Sequence, residues 1–315
     1  MPRFLFLLLP GLCLLPRPAA AQTPPPAAEK PAPAPPEQAW QIRLDRPARA
    51  GQRYTLSANG SQDRQTTVTS PTQPPEVTAE HLEISYAAIH EIKAVNPSGH
   101  PTEVLIRIDR LTTNDGSGPV EQFDPGTLIT ATADGDQTRY QLNRDELDGT
   151  LADALNLAGA KLPSAREPSE DAVFLNQNPR RPGERWSADP QRLADAIAAT
   201  TSFIIDPVTS TGEIHFDRTV TENGIPALAT TTTFNIAPTA LRGDPDQTLT
   251  KSNLTSTTVR IHPVDPALPM LKEELRTGMK LIRRAKSGPQ PAGSEVTFNR
   301  QVTRRYLPLT TDGKK

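Results

Sequence analysis

The chain has 315 residues, with 34 basic and 36 acidic side chains, 34 prolines and one cysteine. One cysteine excludes a disulfide framework and a multi-cysteine metal site, and near neutrality argues against nucleic acid as a partner. No apolar run reaches the roughly 18 residues a membrane-spanning helix needs.

Residues 1–21 read as a secretory signal peptide. Arg3 gives a basic start, Phe4 to Leu15 an apolar stretch, and Ala19-Ala20-Ala21 an A-x-A cleavage site before Gln22. Cleavage removes Cys13 and leaves no transmembrane segment. An exported chain without disulfides fits a bacterial envelope, periplasmic or extracellular. Residues 22–39 form a disordered Pro/Ala-rich spacer, with seven prolines in residues 24–37. The folded region is expected over 40–309, followed by a disordered tail at 310–315.

Within the folded region the pattern is β-rich, and threonine, which suits a half-buried pleated surface, occurs 36 times in the chain. In residues 81–93, Leu82, Ile84, Tyr86 and Ala88 alternate with His81, Glu83, Ser85 and Ala87, which predicts a strand buried on one face. Asn96-Pro97-Ser98-Gly99 then turns into a second strand with Val104, Ile106 and Ile108 on one side. Asp134-Gly135 between 127–133 and 137–142, and Asn223-Gly224 between 213–221 and 225–236, signal two more hairpins. A helix is expected over 145–160, and another over 189–199, where Asp189-Pro190 suits an N-cap and first position. Residues 248–262 read as one long strand. Residues 270–286 fit either periodicity and are assigned as a strand, because 295–307 reads as their hairpin partner. The fold expected is α+β, predominantly antiparallel β: a curved sheet or open half-barrel with one or two short helices.

Two segments resemble each other. Gly51-Gln52-Arg53-Tyr54-Thr55 parallels Gly183-Glu184-Arg185-Trp186-Ser187, and Val95, Gly99 and Pro101 parallel Val220, Gly224 and Pro226. A duplication would give halves at 40–165 and 180–309. With the signal peptide and spacer, these G-x-R-aromatic strand starts make the chain resemble a group of exported bacterial proteins of unknown function built from two β-rich halves. That group is similar in architecture to the half-barrels of periplasmic lipoprotein carriers. The resemblance implies a fold and supplies no catalytic residues.

Little in the sequence points to catalysis. His81, His90, His100, His215 and His262 show no close ligand spacing. His90, His215 and His262 are expected to be hydrogen-bonded core histidines, and His81 with Glu83 a solvent-facing pair. Asp145-Glu146, Glu170-Asp171 and Glu273-Glu274 are expected to be solvated or helix-start charges. There is no G-x-S-x-G, G-x-G-x-x-G or P-loop motif, so no cofactor is expected. Charge is uneven: residues 271–315 hold 11 basic and 4 acidic side chains. Lys280, Arg283, Arg284, Arg300, Arg304 and Arg305 are expected to cluster on the last hairpin, as protection for a sheet edge or a complement to the acidic remainder of the domain, or as a strip meeting anionic lipid or an acidic partner. The leading expectation is a non-enzymatic envelope protein holding a lipid or apolar small molecule on a concave face that includes Ile84, Tyr86, Val104, Ile106 and Phe234. The alternatives are a module binding another envelope protein from a proline-rich stalk and, behind both, a hydrolase with dispersed residues.

Overall fold

A computed structural model describes residues 38–70, 72–147, 149–164, 168–243, 247–285 and 293–309. The expected signal peptide, nearly all of the expected spacer and the expected tail at 310–315 lie outside the described residues. The strands, in chain order, are β1 (Arg53–Ser70), β2 (Gln73–Val95), β3 (Pro101–Asn114), β4 (Pro119–Glu121), β5 (Leu128–Asp134), β6 (Gln137–Leu142), β7 (Asp145–Glu146), β8 (Arg185–Ser187), β9 (Phe203–Ile205), β10 (Thr211–Glu222), β11 (Ile225–Ile236), β12 (Pro238–Leu241), β13 (Gln247–Leu249), β14 (Asn253–Pro263), β15 (Lys272–Ala285) and β16 (Gly293–Pro308). The helices are α1 (Gly149–Ala158), α2 (Glu170–Val173) and α3 (Pro190–Thr200).

Fourteen of the described strands form one antiparallel sheet, ordered β7-β6-β5-β3-β2-β1-β16-β15-β14-β11-β10-β8, with β4 beside β3 and β13 beside β15. The sheet is open, with β7 and β8 at its ends; β9 and β12 make a separate pair. The first long strand and the last are neighbours at its centre, Tyr54 facing Pro308 and Thr69 facing Gly293.

One face of this sheet is packed and the other is wet, as strand alternation requires. Even-numbered residues of β1, β2 and β16 point inward. In β2 these include Ile84, Tyr86, Ala88, His90 and Ile92, each 5% exposed or less. The first core gathers them with Leu56, Val104, Ile106 and Ile108 under the apolar side of α1, whose Ala154, Leu155, Leu157 and Ala158 are buried. The second core lies under β10, β11 and β8 and takes in Phe174, Trp186, Ile214 and Phe216. Ile42 and Leu44, which precede the first strand, pack into this second core, so the N-terminal segment crosses from one half of the sheet to the other.

The two G-x-R-aromatic starts adopt one arrangement. Gly51 (φ 82°) donates to the Ile92 carbonyl, and Ile92 N–H to the Gln52 carbonyl. Gly183 (φ 86°) donates to the Phe216 carbonyl, and Phe216 N–H to the Glu184 carbonyl. Tyr54 and Trp186 then both point to the inner face.

The β-rich assignment, the hairpins at Asp134-Gly135 and Asn223-Gly224, and the strand over 270–286 agree with the structure. Three boundaries differ. The expected strand over 248–262 is broken into β13 and β14 by Thr250-Lys251-Ser252 (Lys251 φ 51°), three residues facing Leu281 and Ile282, which is a bulge. The helix expected from 145 starts at Gly149, because Asn143 and Arg144, both at positive φ, turn Asp145-Glu146 back onto β6. The hairpin of β1 and β2 also runs beyond the expected strand at 81, through Gln73–Glu80, all exposed. With both faces in water, that part carries no apolar alternation to read.

Candidate functional site

The inner face is divided by charge. Strand register places Tyr86, Ala58, Arg304, Glu273, Arg260, Thr230 and Phe216 side by side across six adjacent strand pairings. Glu273, 6% exposed, pairs with Arg260 at 3.0 Å and with Arg304, and Arg260 also pairs with Glu170 at the start of α2. Burial disfavours the Glu273 carboxylate, but Arg260 and Arg304 outweigh it and hold its pKa below the ordinary value. Burial likewise opposes charge on Arg260, and Glu170 and Glu273 outweigh it, so its pKa is raised. Arg304 donates to the Leu157 carbonyl at 3.0 Å, a cation at the C-terminus of α1, and its side chain lies where a Cβ on Gly159 (φ 96°) would sit. These four charges separate the two apolar cores and fasten both α1 and α2 to the sheet.

Beside the middle of this row, two residues further along β14 (His262) and β16 (Tyr306), lies a cavity of about 370 Å³. Its walls include Tyr54, His90, Ile92, Val104, His262 and Tyr306, closed over by residues 44–48, 159–163 and 267–270. The volume falls at the small end of ligand pockets, which run from roughly 300 to 1,000 Å³. His90 is bound into the wall: the Tyr86 hydroxyl lies 2.7 Å from Nε2, and the Tyr54 ring stacks on the imidazole at 5.2 Å. Burial pushes the His90 pKa down to about 3 and the Tyr54 pKa up to about 12.

His262 is different. It is 1% exposed, yet neither ring nitrogen has a hydrogen-bond partner. Burial, with Arg260 and Arg46 nearby, holds its pKa well below the ordinary value, so the ring is neutral. Arg46, also on the cavity wall, donates to the carbonyls of Pro263, Asp265 and Leu268, which fixes the loop after β14. Its Nε–H is buried without a partner, and Asp265 and Asp171 act on its charge without a hydrogen bond to it. Buried polar groups are nearly always hydrogen-bonded, so these orphans mark the wall as unfinished.

No protein-family model matches the chain. No curated protein matches it either. The site therefore has to be read from its own geometry.

Of the residues expected to form a concave ligand face, Ile84, Tyr86, Val104 and Ile106 share the inner face, but α1 covers them as core; only Val104 also reaches the cavity. Phe234 lies apart in the second core, 5.8 Å from Phe174. The six basic residues do not form a single strip. Arg283, Arg300 and Arg304 share the inner side with buried Leu281 and Val302, whereas Lys280, Arg284 and Arg305 lie on the outer side. Successive strand residues point opposite ways, which divides them. Lys280 pairs with Glu295 at 2.7 Å, and Arg300 is held by Gln62.

Other expectations are corrected. His215 is on the outer face, 2.6 Å from Asp217. His262 is core but lacks the expected hydrogen bond. His81 faces solvent but bonds Asp63 at 2.7 Å more closely than Glu83 at 3.6 Å. Glu273 is buried rather than solvated, whereas Glu170 and Asp171 stand in the first turn of α2 as helix-start charges, Glu170 also pairing with Arg260 and Asp171 accepting the backbone N–H of Leu44. The sequence reading also passed over Arg46 and Arg260. A signal existed for Glu273: it shares odd-numbered spacing with Leu271, Leu275 and Leu281, and a charge in an apolar stripe implies a buried counter-charge. Among the described residues no helix is long and apolar enough to cross a membrane, and no cluster of three or more His, Cys, Asp or Glu could hold a metal.

Proposed function

We propose that the chain is an exported, non-enzymatic protein of a bacterial envelope that holds one small apolar or amphiphilic molecule in the cavity beside Tyr54 and His262. The observation that carries this reading is the pairing of an apolar, aromatic-walled cavity with a fully buried histidine whose two nitrogens have no partner. Ligand pockets have this composition: mostly apolar walls with a few convergent polar groups. The signal-peptide layout of residues 1–21 supports export. The packing of α1 against Ile84, Tyr86 and Ile106 moves the proposed ligand from the open face to the cavity lined by β1, β2, β14 and β16.

The test is mass spectrometry of solvent extracts of residues 22–315, purified from the envelope without detergent. The expected result is a co-purifying amphiphile near one per chain, displaced when Val104 is enlarged to Trp. A folded protein that yields no extractable molecule and binds none when apolar probes are titrated would overturn the reading.

A further inference from the structure

The cavity wall says more about its occupant than that it is apolar. Four polar atoms on it are buried and unpartnered: Nδ1 and Nε2 of His262, Nε of Arg46 and Nδ1 of His100. The Arg46 atom is a donor only, and neutral His262 offers one donor and one acceptor. The carboxylates of α2 and of the segment before β1 are committed. Glu170 is held by Arg260. Asp45 accepts the N–H groups of Glu170 and Asp171 and the Ser169 hydroxyl, and Asp171 accepts those of Leu44 and Asp45 and the Asn176 side chain. Arg46, partly buried, gives its other donors to neutral carbonyls; Asp265 and Asp171 act on its charge from a distance, but neither makes an ion pair with it. The wall also includes Ile92, Val104 and the rings of Tyr54 and Tyr306, with Gln52 and Lys161.

We infer that the cavity takes a single-chain carboxylate, its head on Arg46 Nε and His262 and its tail along Ile92, Val104 and the two tyrosine rings. This rests on the ligand-holding reading above and names its ligand class. A carboxylate supplies acceptor oxygens for both donor groups and a negative charge in direct contact with Arg46, which Asp265 and Asp171 do not provide. The cavity lies at the small end of the range for ligand pockets, which suits one chain rather than two. An alcohol of the same length would leave the Arg46 charge without a negative group in contact, and an ammonium would face it.

The experiment titrates residues 22–315, stripped of bound molecules, with decanoate, decanol and decyltrimethylammonium below their micelle concentrations, by calorimetry. Decanoate is expected to bind at least tenfold more tightly than either of the others. His262→Phe removes both orphan nitrogens while keeping an aromatic ring, so it is expected to fold at least as well as the parent, checked by thermal melting, and to lose most of the preference for decanoate. Arg46→Gln is expected to act in the same direction. Decanol binding as tightly as decanoate, or an unchanged preference in folded His262→Phe, would overturn the carboxylate assignment and leave the ligand-holding reading standing. Failure of all three probes to bind the folded protein would overturn both.

Discussion

Replacing Arg304 by Met tests whether the buried charge row holds the two halves of the inner face together. The arginine side chain is 12% exposed and its partner Glu273 8%. The substitution keeps the aliphatic stem but removes a charge-assisted bond to Glu273 and the donor to the Leu157 carbonyl at the end of α1. Breaking a buried pair by deleting one partner costs about 3–5 kcal/mol. Glu273 keeps Arg260 at 3.0 Å, which moderates that loss, while the uncapped carbonyl adds about 1 kcal/mol. The expected destabilisation is therefore about 3–5 kcal/mol, read as a fall in the urea midpoint by circular dichroism. Glu273→Gln and the double variant complete a thermodynamic cycle, and the double variant should cost less than the two single losses added together. A loss below about 1 kcal/mol for Arg304→Met, or strict additivity in the cycle, would refute the reasoning, because the row would then behave like an exposed ion pair.

Acid should destabilise the fold through its buried histidines. His90 and His262 both have depressed folded pKa values, so the unfolded chain binds their protons first. Their stabilising contribution is present above about pH 6.5 and is lost as pH falls, each histidine at about 1.4 kcal/mol per pH unit. Denaturation midpoints measured between pH 7 and pH 4 should show it, and His262→Phe should halve the slope. Gly60→Ala should cost about 1–3 kcal/mol by overpacking, since the new Cβ would lie 2.9 Å from Val302 Cγ2 and 3.0 Å from the Gln301 carbonyl; thermal melting of Gly60→Ala with and without Val302→Ala should show partial relief. Asp189→Ala should cost about 1 kcal/mol in the same assay, because Asp189 accepts the Arg192 N–H at 2.9 Å and caps α3.

The parts of this architecture that are legible in the sequence are those where one face is apolar and the other is not. Leu82, Ile84, Tyr86 and Ala88 announce β2, and Asn223-Gly224 announces its hairpin, because period-two burial and turn chemistry are local. The cavity is not legible in the same way. Its walls come from residues 44–48, 90–104, 159–163 and 260–270, and only strand order brings these together. The charge row fails for a related reason. Glu273, Arg260 and Arg304 look like surface charges until register sets them opposite one another. The basic residues of the last hairpin show the opposite error: closeness along the chain suggests a strip, and alternation distributes it over two faces.

The pairing of β1 with β16 has a consequence for how the chain is made. Gln62 and Arg300, bonded across that seam, are 238 residues apart. No ribosome-bound chain can form the contact until nearly all of it has been synthesised, and closing so long a loop carries its entropy before any strand pairing offsets it. The N-terminal segment waits as well, since Ile42 and Leu44 need the second core. Each half can gather its own hairpins early, but the middle of the sheet is a late event. An interval with two open strand edges follows from this topology, and during it the chain is most exposed to aggregation and most dependent on a chaperone.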